Sequence, residues 1–487
     1  MSLKQRTVKG LFWTTLILFS SRGLGFLSNI ILCRILFPED FGIVALSMMV
    51  INLLYLLQEF GMGAALIYEK GDIKKASNAS FYLNLIFSIF LCIILYSFSG
   101  VIGDFFKTPQ LVKVLKIMVI PLFISSLSVT PQAIINKKME FKKTFYPEVV
   151  ANSVYIIIAV LLALRGFGYM AVIYAYIAQM CISTVLYYIV SGWLPSLEFD
   201  LTQAKKMLKY GVHLFGSGII VFVSTNIDNA MIGRLIDSAA LGYYYLAYNI
   251  ANITATTLTP VISKVSFSLF CNLNKDIEGL KKGVLKVLEF TLLVIMPITV
   301  GLFVFSTHFV FVVLGAKWGP VVVIIQILCW LALLRAIGTC SGLIFNSIGK
   351  THVPFINGVV FMFLGAGLIY YFTKNFGFIG TAQAVIIQGV LGIMFIFYLG
   401  VKNLDFKDYE LLSAFKAPVI GSLVLGITGY ILKKTVFASL TWYNLIALIL
   451  IGTALYCFTV WKVKKEILDD LNLMVKELFS KKRHDNG

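Results

Sequence analysis

From end to end, the chain alternates long apolar runs with short polar breaks. About fourteen runs reach the roughly 20 residues that carry a helix across the hydrocarbon layer of a membrane. They include 8–33, 41–67, 147–164, 168–190, 211–233, 241–263, 353–372 and 378–400. Membrane-spanning strands would instead show segments of about ten residues alternating apolar with polar positions. The pattern therefore predicts an all-α polytopic membrane protein. The polar residues inside the runs fall at helical spacing. Thr14, Thr15, Ser21, Gly25, Ser28 and Asn29 share a face with Arg22, and Asn52, Tyr55 and Met62 share one with Glu59. Ser217, Ser224 and Thr225 accompany Asp228, and Asn249, Asn252, Thr256, Thr259 and Ser263 form a further stripe.

The chain also repeats itself. Lys9, Asn29, Arg34 and Gly42 recur as Lys209, Asn229, Arg234 and Gly242 at a constant offset of 200 residues. The expected organisation is a six-span lobe at 1–190, a cytoplasmic interfacial linker at 191–210 and a second six-span lobe at 211–400. Two accessory spans at 401–461 and a basic tail at 462–487 follow. Two pseudo-symmetric six-helix bundles around a central cavity suit alternating access, in which one half rocks against the other. In the linker, Leu201, Met207 and Leu208 oppose Lys205, Lys206 and Lys209, which predicts a separate helix lying in the inner interface. In the tail, Ile467, Leu468, Leu471 and Met474 predict a second such helix.

Composition agrees with a membrane protein: 59% of 487 residues are apolar and 13% charged. With the N-terminus inside, the basic residues gather in inner loops, at Lys137, Lys138, Lys142, Lys143, Lys281, Lys282, Lys481, Lys482 and Arg483. This asymmetry predicts that both termini are cytoplasmic. It also accounts for the net charge of +18 without nucleic acid. Lys4, Arg6 and Lys9 resemble the start of a signal peptide, but the apolar run after them is too long and has no small-residue cleavage site, so it reads as a span. The seven Cys are scattered, without a C-x-x-C pair, and imply neither zinc nor a disulfide. No cofactor or metal is expected. The outer loops are too short for an extracytoplasmic enzyme domain.

An ionisable group inside a span costs roughly 2.5–3.5 kcal/mol on insertion scales and normally faces a cavity or a partner. Arg22 satisfies this in either of two ways, as a bidentate donor to a phosphate or acidic sugar in a wet cavity or as a structural partner of Glu59. Glu59 is in turn a salt-bridge partner or a carrier of protons or sodium. Arg335 has no acid nearby in sequence, which favours an anionic ligand, with helix-end carbonyls near Gly338 as the alternative partners. Asp228 lies in the outer half of its span with Arg234 one and a half turns away, near enough to neutralise it. The amides Asn29, Asn52, Asn249 and Asn252, with Tyr245 and Tyr248, suit sugar rings and hydroxyls, although small and polar stripes also serve helix packing. Arg34 and Arg234, at outer ends, suit headgroups or loops. His213 reads as a packed polar group, and Pro260 and Pro297 as points of bending.

Several segments together resemble a known family. They are L-K-Q-R-T-V-K-G-L-F-W, R-I-L-F-P-E-D-F-G, E-F-G-M-G-A-A-L-I and N-K-K-M-E-F-K-K in the first lobe, and N-I-D-N-A-M-I-G-R, L-G-Y-Y, G-A-K-W-G-P and I-Q-I-L-C in the second. Their order and spacing resemble the polysaccharide flippases of the multidrug/oligosaccharidyl-lipid/polysaccharide exporter superfamily, in particular the colanic-acid and lipopolysaccharide exporter branch. The resemblance implies a V-shaped pair of bundles that moves an undecaprenyl-diphosphate-linked oligosaccharide to the outer leaflet of the bacterial cytoplasmic membrane. The expected protein is a monomer coupled to a sodium or proton gradient or to the membrane potential, working beside a polysaccharide polymerase and glycosyltransferases. It places an Arg of the first span in the cavity and gives the position of Asp228 to ion coordination in relatives. A cation-coupled drug exporter of the same superfamily would favour acids in the cavity. A membrane-embedded synthesis enzyme would need a large outer loop or a cytoplasmic acid cluster.

Overall fold

The computed structural model describes residues 3–69, 71–273, 276–404, 406 and 408–464. The tail residues Ile467, Leu468, Leu471, Met474, Lys481, Lys482 and Arg483 lie outside this set, as do the side chains of His213 and Ser217. The described residues form α1 (Leu3–Ile35), α2 (Pro38–Glu59), α3 (Met62–Tyr68), α4 (Ile73–Phe105), α5 (Pro109–Lys137), α6 (Phe141–Leu164), α7 (Tyr169–Ser191) and α8 (Leu201–Leu235). There follow α9 (Ser238–Ala251), α10 (Ile253–Leu273), α11 (Ile277–Phe309), α12 (Val321–Ser347), α13 (His352–Leu404), α14 (Asp408–Thr435) and α15 (Trp442–Val463). Among the described residues, eleven helical stretches are long and apolar enough to cross a membrane. Helices suit this setting because each closes its own backbone hydrogen bonds where no water can.

Helix starts are set by short acidic caps. Asp72, Asp200 and Asp276 accept backbone N–H groups at the starts of α4, α8 and α11. The backbone hydrogen bond from Gln203 is the main reason the Asp200 carboxyl is held below its usual range. Asp40 serves two helices: it accepts from the Phe37 amide at 2.9 Å and from the Tyr169 amide at 2.9 Å, pinning the start of α7 to that of α2.

Three features differ from the pattern read in the sequence. Residues 201–210 are no separate interfacial helix but the first turns of α8. Their apolar side is taken up by protein: Ala204 and Met207 are buried in a cluster with Met62, Leu66, Ala79 and Ile134. The run 241–263 is interrupted at Asn252, which separates α9 from α10. The runs 353–372 and 378–400 both belong to α13, whose 53 residues would stretch about 80 Å if straight. It folds back at Gly377, where φ is 63° and ψ is −155°. The hydroxyls of Thr373 and Thr381 consequently meet at 2.8 Å, and Gln388 donates to the Phe361 carbonyl at 2.9 Å.

Among the described residues, packing groups Met1–Ile250 with Gly358–Gln388 in one compact unit, and Ala251–Asn357 with Gly389–Gly487 in another. In the first unit, α2 and α9 meet backbone to backbone. A Cβ at Gly42 would fall 1.7 Å from the Ser238 carbonyl oxygen, and one at Gly242 would fall 1.8 Å from the Pro38 carbonyl oxygen. The contact is reciprocal, since the offset of 200 that relates Gly42 to Gly242 also relates Pro38 to Ser238.

In the second unit, α14 and α15 are fastened along α11. Lys464 pairs with both oxygens of Glu289 at 2.6 and 2.7 Å, and the Tyr456 hydroxyl donates to the Leu293 carbonyl at 2.8 Å. Further along α11, Lys433 donates to the Val304 carbonyl at 2.9 Å, and His308 bonds the Phe437 carbonyl at 2.9 Å. Ala417, Leu425, Tyr456 and Val460 fill the space between these fastenings.

Candidate functional site

Arg22 lies on α1 and lines a cavity of about 380 Å³ within the first unit. Asn29, two turns on, lines the same cavity, as their shared helix face predicts. The rest of the polar lining comes from Asn152 and Tyr155 of α6, Tyr176 and Gln179 of α7, and Tyr245 of α9. No ion pair joins Arg22 to Glu59 among the described residues, and no acid lines the cavity. Arg22 is exposed, and its guanidinium has no hydrogen bond or ion pair among the described residues. Glu59 instead ends α2, its carboxylate beside Gly63 at the start of α3.

A hydrogen-bond chain fixes the wall opposite Arg22. The Asn152 amide donates to the Glu148 carbonyl at 2.7 Å and to Ser21 at 3.4 Å, and accepts from Gln179 at 3.1 Å. This one side chain ties α1, α6 and α7 together. Below it, the Tyr187 hydroxyl donates to the Glu148 carboxylate at 2.8 Å and accepts from Gln132 at 3.2 Å. The Tyr176 hydroxyl donates to that of Tyr55 at 3.1 Å. Sequence reasoning passed over Asn152, Tyr155, Tyr176 and Gln179. Their signal was present: each pair is three residues apart on one helix face of an otherwise apolar run.

Arg335 belongs to a second cavity, of about 500 Å³, within the second unit. It donates to the Oδ1 of Asn252 at 3.2 Å, and Asn252 is itself only 1% exposed, at the break between α9 and α10. Thr256, Thr259 and Ser263 of the expected stripe line this cavity, with Thr339 and Asn357. The buried oxygens Thr259 Oγ1 and Asn357 Oδ1 have no hydrogen-bond partner among the described residues.

The remaining expected residues lie elsewhere. Asp228 is 4% exposed and accepts from the Tyr244 hydroxyl at 2.7 Å and the Asn229 amide at 2.8 Å. Arg234, its expected neutraliser, donates to the Phe105 carbonyl at 2.6 Å and lies over the Phe105 ring at 4.9 Å. Asn52 is exposed on α2. Asn249, exposed on α9, donates to the Tyr245 carbonyl one turn back at 2.8 Å.

A multi-pass helical membrane protein with polar, cation-bearing cavities among its spans is built to take a polar solute into the bilayer. The chain belongs to the polysaccharide biosynthesis protein family, whose model matches residues 31–323. It is 26% identical to the lipopolysaccharide biosynthesis protein WzxC of Escherichia coli, over 84% of each chain. It is 28% identical to the teichuronic acid biosynthesis protein TuaB of Bacillus subtilis, over 63% of this chain and 64% of that one. In fold it is similar to the lipid II flippase MurJ in an inward closed conformation, with a TM-score of 0.78, 18% identity, and coverage of 94% of this chain and 99% of that one. It is also similar to an inward-facing multidrug resistance MATE family transporter, with a TM-score of 0.67, 14% identity, and coverage of 80% and 98%.

Proposed function

We propose that this protein is a flippase that carries a lipid-linked oligosaccharide repeat unit, on undecaprenyl diphosphate, from the cytoplasmic to the outer leaflet for surface polysaccharide assembly. The observation that carries this reading is the Arg22 guanidinium, without a bonded partner among the described residues, in a polar cavity that no acid lines. A cation left uncompensated among membrane spans calls for an anionic ligand, and a diphosphate supplies one. The curated relatives named for lipopolysaccharide and teichuronic acid biosynthesis support the glycan. An apolar cavity of about 480 Å³ among α11, α14 and α15, lined by Leu293, Pro297, Phe305, Leu425, Leu445 and Ile449, suits an aliphatic tail. A drug exporter for cationic compounds is disfavoured by the same guanidinium.

In this reading the chain crosses the membrane fourteen times, as two pseudo-symmetric six-span lobes and two accessory spans. It sits in the bacterial inner membrane with both termini cytoplasmic, works as a monomer by alternating access and performs no covalent chemistry itself. Coupling to a sodium or proton gradient falls to Asp228 or Glu59, and the polymerase and glycosyltransferases act on either side of the transport step. Mass spectrometry of lipid that copurifies with the protein is the direct test. A polyprenyl diphosphate glycan is expected, and an amphipathic drug-like cation in its place would overturn the reading.

Topology is tested by impermeant labelling of single cysteines from outside the cell. The native exposed Cys181 and Cys457 must first be removed. Lys138→Cys, exposed after α5, is expected to stay unlabelled, and Gln110→Cys, exposed at the opposite end of that helix, to react. The reverse pattern would invert the orientation.

A further inference from the structure

The cavity around Arg22 holds more polar groups than a single phosphate needs. Arg22, Asn29 and Tyr155 line it, and none has a hydrogen bond or ion pair among the described residues. Gln179 spends its N–H on Asn152 and keeps an unbonded carbonyl oxygen. Asn152 spends both N–H groups and one acceptor position within the protein and so serves chiefly to hold the wall. Beside the phenols of Tyr176 and Tyr245, the cavity is faced by the guanidinium of Arg22, the phenol of Tyr155, the amide of Asn29 and the acceptor oxygen of Gln179, over an apolar floor that includes Phe41 and Met48. Its volume of about 380 Å³ lies within the ~300–1,000 Å³ of small-molecule sites.

A bare diphosphate offers acceptors only and would leave the Gln179 oxygen without a donor. A sugar ring offers several O–H donors and acceptors at its rim, and C–H faces that lie against aromatic and apolar side chains. We infer that this cavity is a ring-reading subsite, in which Tyr155, Gln179 and Asn29 bind the hydroxyls of one sugar while Arg22 holds an anionic group attached to that ring. The anion is a phosphate or a ring carboxylate. The inference rests on the flippase reading and goes beyond it, because it makes Tyr155 and Gln179 determinants of which glycan is accepted.

The test uses the full chain in lipid nanodiscs with three probes: undecaprenyl diphosphate, the same lipid carrying one glucose, and the same lipid carrying one glucuronate. Wild type should bind a glycosylated probe more tightly than the bare lipid. Tyr155→Phe and Gln179→Leu should each weaken only the glycosylated probe, by roughly 3- to 10-fold per lost hydrogen bond. Tyr155→Phe removes an oxygen that bonds nothing in the described protein, so a purely structural role predicts no change. Arg22→Gln identifies the anion: loss on all three probes marks the phosphate, and loss on the glucuronate probe alone marks the carboxylate. If wild type binds bare and glycosylated lipid equally, or both tyrosine and glutamine variants bind as wild type does, the subsite is overturned while the flippase reading stands. If wild type binds none of the three, the flippase reading falls and the subsite falls with it.

Discussion

Gly242→Val will drive α2 and α9 apart and abolish transport. The space for even the first added carbon is already occupied, because a Cβ there would sit 1.8 Å from the Pro38 carbonyl oxygen, and backbone cannot step aside as a flexible side chain can. Overpacking of this kind costs about 1–3 kcal/mol and sometimes more. On the proposed topology these helix starts face outward, so a face that must close in each cycle would be wedged open. Complementation of polymer export at matched membrane levels measures the loss. Gly42→Ala and Gly242→Ala should each lower thermal stability, and the double variant should cost less than their sum, because the first separation makes room for the second. Simple additivity would show that the two glycines do not share one contact, and full export by Gly242→Val would show that the contact is dispensable.

The second large effect concerns Arg22. Arg22→Ala should insert normally and reduce export by at least an order of magnitude, since it removes the one cation among the described residues that line its cavity. Lys should restore part of the activity, because a point charge cannot supply the planar fork. Arg22→Gln combined with Glu59→Gln should be no better than Arg22→Gln alone. Rescue in the double variant would mean that the two residues neutralise each other at some stage of the cycle. Wild-type export by Arg22→Ala would remove the residue from the substrate path.

How far these features could be read from the sequence depended on how local they were. Apolar runs give spans almost directly, because hydrocarbon leaves the backbone few alternatives. Arg22 and Asn29 were placed together correctly by helical spacing alone, since both sit on α1. Asn252 and Arg335 were both singled out, but their bond could not be, because it joins α12 to a break in a run that reads as continuous. The wall formed by Asn152, Tyr155, Tyr176 and Gln179 was missed for a similar reason. Single amides and phenols are common in spans, and only the pairing of α6 with α7 and α1 turns them into a lining. For Asp228 the sequence offered the nearest cation, whereas the fold supplied Tyr244 from the next helix and sent Arg234 to a carbonyl at the end of α4. Of the linker pattern, Met207 and Leu208 do face a protein cluster while Leu201 is exposed, and the spacing could not say whether lipid or protein would cover that face.

The glycine contact between α2 and α9 also bears on where such a chain could come from. Position 42 rests on 238 and position 242 rests on 38, so exchanging the halves maps the contact onto itself. That is the rule of an isologous interface, the kind two identical molecules form about a two-fold axis. A shorter ancestor comprising one half, meeting a copy of itself, would already have carried both sides of this seam, with its single glycine facing its partner's proline-bearing turn. Fusing two such copies end to end would have turned a dimer interface into an internal one, leaving each half free to gain its own cation and its own cavity.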